Sequence, residues 1–320
     1  MSEYKKIQAE LLKIYKEIKQ LCDKNNIRCF AVGGTMLGAV RHNGFIPWDD
    51  DMDLGIPVDD FDKFRKACKK ELREPYEFKD LLWIGGKVHN KQTSFIETPC
   101  AINRENGYGI FVDIFPIIGT PNSSEERLDF LNNMLLYSFQ AMIFDRYPDI
   151  SKYTKQQLIE WRRDLLYKHK VADSERVAEF SFGHSFTNDS KGLSDPIELR
   201  FEDTTILVPS TYDADLTAHY GNYMELPPKD ERHSHNNFAL VSFNESYENY
   251  YKRLEKLDPE FLTFLRRKHN LEGEFFLNSA LFMSAESISK RELAKANKEL
   301  ELIKQSMAYK ISSKLRKFFQ

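Results

Sequence analysis

Hydrophobic residues recur at helical spacing from the start of the chain. Tyr4, Ile7, Leu11, Ile14, Ile18 and Leu21 fall three or four positions apart, which predicts a helix over residues 3–24 with one buried stripe. Asn25-Asn26 ends it. Ile27–Val32 is a short apolar run with a β-branched residue at each end, closed by Gly33-Gly34, the pattern of a strand entering a tight turn. A short helix from Thr35 to His42 follows, and Asn43-Gly44 and Pro47 then mark a loop.

Alternation then replaces the helical period. From Asp51 to Pro57 the odd positions carry Asp51 and Asp53, the even ones Met52, Leu54 and Ile56. A strand here sets the carboxylates on one face and the apolar side chains on the other, with Asp50 facing away. Asp59-x-x-Asp62 reads as the cap of a helix with Phe61, Phe64, Cys68 and Leu72 as its stripe. Residues 76–98 alternate around Gly85-Gly86, as strands or a hairpin. Tyr108–Ile118 reads as a strand, with Asp113 set between Val112 and Ile114.

After Pro121 the pattern is mostly helical. Ser123-x-x-Glu126 and Thr154-x-x-Gln157 have the form of capping boxes, ahead of Leu128-Leu131-Leu135-Met142 and Leu158-Trp161-Leu165. Glu198–Pro209 reads as a strand pair, Tyr212–Tyr220 as a helix stopped by Gly221, and residues 227–237 as a loop. Helices are expected again over 246–267 and from 284 to the end. The expected organisation is an α/β (α+β) core over 1–120, a mostly helical remainder over 121–270, and a helical extension over 271–320.

Composition narrows the class. Of 320 residues, 41% are hydrophobic and 30% charged, as in an ordinary soluble protein. A net charge of −3 provides no global attraction to nucleic acid, so an anionic ligand must be met by local clusters. Four cysteines without a Cys-x-x-Cys pair are neither a disulfide framework nor a zinc site. His233-x-His235 is two ligands without partners at metal spacing and reads as a solvated loop. No apolar run approaches the ~18 residues of a membrane span, so the expected location is the cytoplasm or a membrane's cytoplasmic surface. The second option rests on the C-terminus. Met307, Ile311, Leu315, Phe318 and Phe319 share a helical face, with Lys310, Lys314, Arg316 and Lys317 elsewhere, a basic amphipathic pattern suited to peripheral membrane contact or to packing on a partner.

The chemistry concentrates in Trp48-Asp49-Asp50-Asp51-Met52-Asp53. Carboxylates in a row on one face repel, and burying them unpaired is costly. A divalent cation resolves the conflict, since Mg²⁺ takes hard oxygen ligands, commonly one or two carboxylates plus substrate phosphates. Asp113, an acid inside an apolar run, is the candidate third ligand, with Asp49 as a further one. An EF-hand is excluded because its sixth loop position, counted from Asp49, is Leu54 and not glycine. Gly33-Gly34-Thr35, between strand and helix, would offer backbone N–H groups to an anion. Phosphate contacts beside metal ligands on neighbouring strand ends are what phosphoryl transfer needs.

The run Ala31-Val32-Gly33-Gly34-Thr35-Met36-Leu37-Gly38, continuing through Arg41-His42-Asn43-Gly44-Phe45-Ile46-Pro47-Trp48-Asp49-Asp50-Asp51-Met52-Asp53-Leu54, resembles the signature of the LicD family. Those proteins are phosphocholine transferases of bacterial surface glycans and teichoic acids, related to the fukutin group. Tyr108–Pro116 is similar to the family's second block, and Phe201-Glu202, Val208-Pro209 and Tyr220–Pro228 to its C-terminal block. Where the family usually carries an acid after Phe-Pro, this chain has Ile117-Ile118. The resemblance implies a nucleotidyltransferase-like small mixed sheet flanked by helices, with Asp51, Asp53 and Asp113 holding Mg²⁺ (or Mn²⁺). It implies a CDP-activated alcohol as donor, CDP-choline first, and a glycan or lipid-linked glycan hydroxyl as acceptor. Arg41 and Lys87 are candidates for neutralising the diphosphate, and Trp48 and Tyr108 for stacking on the base or cradling a trimethylammonium group. CDP-glycerol or CDP-ribitol as donor, true nucleotidyl transfer releasing pyrophosphate, and a non-catalytic scaffold are the competing readings.

Overall fold

The computed structural model describes residues 3–96, 106–181, 187–233 and 240–274, apart from a few positions between 255 and 272. Met1–Glu274 forms one compact unit and Phe275–Gln320 a second. The amphipathic pattern at Met307–Phe319 and the helices expected from 284 onward lie outside the described residues.

The first helix, α1 (Glu3–Lys24), buries Ile7, Leu11, Ile14 and Ile18 to 1% exposure or less, so the stripe read from spacing is the stripe that packs. It lies on a sheet whose central strands are β1 (Phe30–Ala31), β2 (Asp53–Pro57), β4 (Gly86–Asn90) and β6 (Phe111–Gly119). Leu54 and Ile56 of β2, Val112 and Ile114 of β6 and Val88 of β4 meet α1 there. Phe61 and Phe64 of α3 (Val58–Glu71) join the same cluster. Burial of that many large apolar groups supplies the main driving force for this layer.

The sheet runs β3 (Tyr76–Lys79), β4, β6, β2, β1, β10 (Thr204–Val208), β9 (Ile197–Phe201), with β7 (Arg176–Glu179) and β8 (Asn188–Asp189) attached beyond β6. It is mixed: β2 runs parallel to β6 and β1 parallel to β10, while the other pairs are antiparallel. The sheet is therefore not confined to residues before 120. The strand pair at 197–208 extends it beyond β1 through Phe30↔Leu207, on the side of β1 away from β2. Local periodicity cannot reveal such a long-range partner. A small sheet of β5 (Ser94–Ile96) and β11 (Leu240–Ser242) lies apart from it.

A second apolar layer comes from α4 (Ser124–Arg146) and α5 (Lys155–Tyr167). Phe130, Met134, Tyr137, Leu158 and Leu165 pack on Ile117, Ile118, Val177, Ala178 and Phe180 at the far end of β6 and on β7. Thr154 and Gln157 do form the expected capping box on α5. Ser123 makes no side-chain cap on α4; of the expected stripe Leu131 and Met142 are buried while Leu128 is 41% exposed, and Phe130, Met134 and Tyr137 join the buried face. Likewise α3 begins at Val58 after Pro57, one residue before the expected Asp59 cap, and Asp59 and Asp60 sit in its first turn, favourable for the helix dipole.

Buried Arg162 of α5 ties this layer to the sheet. Its guanidinium donates to Asp80 (2.7 Å) and to the carbonyls of Ile84 (3.0 Å) and Gly85 (3.2 Å), holding the turn that feeds β4. Among the described residues no helix is long and apolar enough to cross a membrane.

Candidate active site

The face of the sheet opposite α1 carries the charged residues. Strand register puts Asp53 of β2 directly beside Asp113 of β6, and Asp113 directly beside Lys87 of β4. Cross-strand partners share a face, so the three side chains project together. Four residues further along β6, Ile117 is flanked by Glu179 of β7, on the same face by alternation. Asp51 precedes β2, which starts at Asp53. The strand expected from 51 is thus two residues shorter, and Asp51 belongs to the loop entering it.

The turn after β1 brings the helix α2 (Gly33–His42) up to these carboxylates. Gly33 has φ +52°, the left-handed region that favours glycine. A β-carbon there would stand 3.6 Å from Asp53 Oδ2, and one on Gly34 3.2 Å from Asp49 Oδ2. The helix starts at Val32 without a side-chain cap, leaving its first N–H groups on the side of Asp49 and Asp53. Thr35 is buried and its hydroxyl accepts the backbone N–H of Asp53 at 2.8 Å. It acts on the site by holding the strand, a role its place in the Gly-Gly-Thr turn did not suggest. On the far side, the Gln8 amide donates to the carbonyls of Ile46 (3.0 Å) and Asp49 (2.8 Å), fixing the acidic loop to α1.

The electrostatics are those of crowded acids. Asp53 is held well above the ordinary carboxylate range, first by loss of solvent and then by Asp51, Asp113, Glu179 and Asp49. Asp49 is pushed up to about 8 by burial and by Asp51, with which it shares a hydrogen bond. Glu179 is raised to about 7 by burial and then by Asp215. Asp50, in contrast to its half-buried neighbours, is buried at 3% exposure. Among the described residues no three His, Cys, Asp or Glu side chains already converge on one point that could hold a metal ion. Their donor chemistry is nevertheless what a hard divalent cation takes, and its charge would relieve the repulsion.

Lys87 is 7% exposed, with its Nζ 4.4 Å from the Phe111 ring centroid and 5.4 Å from that of Tyr108. Tyr108 itself packs edge-on against Tyr247 and tilted against Tyr251 of α7 (Tyr247–Leu254), at 6.1 and 5.8 Å. Its ring is thus one wall of an aromatic cluster behind Lys87. His89, two residues along β4, is fully buried beside Tyr247 and held down at about 4 by that burial.

The opposite rim is built from the end of α2 and the segment after α6 (Tyr212–Tyr220). Arg41 Nη1 donates to the Tyr223 carbonyl at 2.7 Å and to that of Glu225 at 3.4 Å, and its Nε bonds His42 at 3.0 Å. His42 meets Trp48 edge-on at 6.1 Å, and the Arg232 guanidinium lies 5.4 Å from the Trp48 ring centroid. Burial holds Arg41 below its ordinary range, with Tyr220 opposing and Arg232 adding to that shift. Tyr220 ends α6 ahead of Gly221 (φ +64°). Its phenol is pushed up to about 12 by loss of solvent and then by Glu179, Asp53, Asp49 and Asp51. His233 is exposed and near only the Asp230 carbonyl; His235 lies outside the described residues.

The fold thus gathers Asp49, Asp51, Asp53 and Asp113 with Gly33, Gly34 and Lys87 at one place, and sets Arg41, Trp48 and Tyr108 on its margins. Glu179 and Arg232 join them without having been singled out from the sequence. Glu179 sits in a short unpatterned strand, and Arg232 in a polar loop, where nothing local distinguishes a site residue from a solvated one.

Residues 26–171 match the family model described as LicD/FKTN/FKRP, nucleotidyltransferase domain, a span that holds both acidic strands and the Gly-Gly turn. The chain is 25% identical over 249 residues to the lipopolysaccharide cholinephosphotransferase LicD of Haemophilus influenzae, covering 71% of this chain and 94% of that protein. It is 35% identical over 57 residues to the ribitol 5-phosphate transferase FKRP of human and mouse, a stretch that is 18% of this chain and 12% of each relative. An uncharacterised protein of Rickettsia prowazekii is 50% identical over 50 residues, 16% of this chain and 19% of that protein.

Proposed function

We propose that this chain, whose residues 26–171 carry a LicD-family nucleotidyltransferase domain, is a phosphotransferase that moves a phosphoalcohol group from a CDP-activated alcohol to a glycan hydroxyl. The observation that carries this reading is the register Asp53↔Asp113↔Lys87 beside the open Gly33–Gly34 turn. It aligns two acids and a buried cation across neighbouring strands of one face, next to a turn with backbone donors. Phosphocholine is the first choice of transferred group, because the relative matched along nearly its whole length is named for choline phosphate. Ribitol phosphate is the second, from the shorter match.

Asp51, Asp53 and Asp113, with Asp49 beside them, would hold Mg²⁺ or Mn²⁺. When bound, such an ion supplies Lewis-acid stabilisation of charge on the transferring phosphate. The remaining work falls to the chain. The α2 N-terminus orients the phosphate through N–H groups and its dipole. Lys87, kept from solvent against Phe111 and Tyr108, offers a positive charge on the β4 side. Asp113, if not fully engaged as a ligand, is placed to accept the proton of the attacking hydroxyl. The phosphorus–oxygen bond to CMP breaks as the bond to the acceptor oxygen forms, and CMP leaves. A non-catalytic role is disfavoured by keeping four crowded acids whose repulsion a folded scaffold would gain by losing.

The test is product identity. Purified protein with Mg²⁺ or Mn²⁺ is incubated with CDP-choline, CDP-ribitol or CDP-glycerol, and separately with CTP. CMP release from a CDP-alcohol, faster with a glycan acceptor, is the expected result. Pyrophosphate from CTP, with no CMP from any CDP-alcohol, would replace this reading with nucleotidyl transfer.

A further inference from the structure

We propose that Arg232 completes, with Arg41 and Trp48, a cation–aromatic wall that receives the nucleotide half of the donor. This rests on the reading of the site as one for a CDP-activated alcohol and assigns residues to the part of the substrate that leaves.

The wall is a continuous set of contacts. Arg41 bonds His42, His42 abuts Trp48, and Arg232 stacks over Trp48. Both guanidiniums also grip one short segment, Arg41 through the carbonyls of Tyr223 and Glu225 and Arg232 through that of Pro227 at 2.8 Å. Two cations are thus held on the same few residues, which costs mutual repulsion. Among the described residues neither forms an ion pair with a carboxylate. The acids of the site lie close by, yet the arginines hold only neutral partners, so their charge remains available to an incoming anion.

The shape suits a nucleoside diphosphate ester. Arginine recognises phosphate oxygens through paired donors and also stacks on flat rings. Trp48, half-buried under Arg232, fixes an aromatic plane. The phosphate under attack belongs with the carboxylates and Gly33–Gly34, leaving the second phosphate and the cytidine to extend toward Arg41, Arg232 and Trp48. A neutral sugar would leave two guanidinium charges unanswered, so the acceptor is the poorer occupant.

The probe is CMP, read by quenching of tryptophan fluorescence and by calorimetry, so that binding is measured without turnover. Wild-type protein is expected to bind CMP. Arg232→Gln should weaken that binding about tenfold or more, and Arg232→Lys should restore only part of it. Arg163→Gln, whose side chain is 69% exposed on α5, is the control. Unchanged melting temperatures show that each variant is folded. Wild-type protein that does not bind CMP, or a folded Arg232→Gln that binds it as wild type does, overturns the wall. Arg232-dependent CMP binding with no CMP release from any CDP-alcohol leaves the wall standing and rejects the proposed reaction. CMP release with a donor KM unchanged in Arg232→Gln rejects the wall and leaves the reaction.

Discussion

Asp53→Asn should lower turnover roughly 10³-fold or more and at the same time raise the melting temperature of the metal-free protein. Loss of activity follows from position. Asp53 is the strand residue aligned with Asp113 and nearest the Gly33 turn, and an amide there is a weaker ligand without charge. The gain in stability follows from crowding. Asp53 and Asp49 have pKa values raised in the folded state, so the folded metal-free protein retains protons that the unfolded chain has already released. Their stabilising effect is complete below the ordinary carboxylate pKa near 4 and is lost as pH rises toward about 8, the value for Asp49. The variant removes one charge from that set. A gain of roughly 1–2 kcal/mol, or about 3–6 °C, is the scale expected at pH 8, shrinking at pH 5. Calorimetric melts of both proteins at the two pH values, with and without Mg²⁺, check this. Mg²⁺ should stabilise the wild type more at pH 8 than at pH 5 and the variant little at either. A destabilised, inactive Asp53→Asn would make Asp53 a structural residue.

Lys87→Met should cost about 10² in kcat/KM for the donor, about 2.7 kcal/mol of transition-state stabilisation, with the fold intact. Lys87 is buried against two aromatic rings and aligned with Asp113. Methionine fills the same space without the charge, and exchanging a buried charge for an apolar group of similar volume is often tolerated. If Lys87 serves only to neutralise Asp113, the variant should unfold more easily and bind CMP as wild type does. If it faces the donor phosphate, stability stays within about 1 kcal/mol and activity falls. Urea midpoints and donor kinetics on one preparation separate the two.

Much of this site was legible before any coordinates. Alternation at 51–57 and 108–118 placed Asp53 and Asp113 on strands, and register then set them side by side. The stripe of α1 and the Thr154 box also follow from local rules. What the sequence concealed is long-range. Nothing local says that Thr204–Val208 enters the sheet beside Phe30, that Glu179 comes to stand against Ile117, or that Arg232 reaches Trp48. The Ser123 box shows the opposite limit, since a correct motif formed no cap. Thr35 was legible as part of an anion-binding turn, yet its hydroxyl serves the strand, because the Asp53 N–H needs an acceptor where the turn crosses it.

The measurement closest to the central claim is the ³¹P linewidth of CDP-choline titrated with protein and Mn²⁺. Paramagnetic broadening reports a phosphorus within a few ångströms of the metal. Both phosphorus signals should broaden with wild-type protein, and broadening should vanish with Asp53→Asn and with Asp113→Asn although both remain folded. Broadening that persists unchanged in the two variants would place the metal and the donor phosphates elsewhere, and would contradict the assignment of this carboxylate set as the site of transfer.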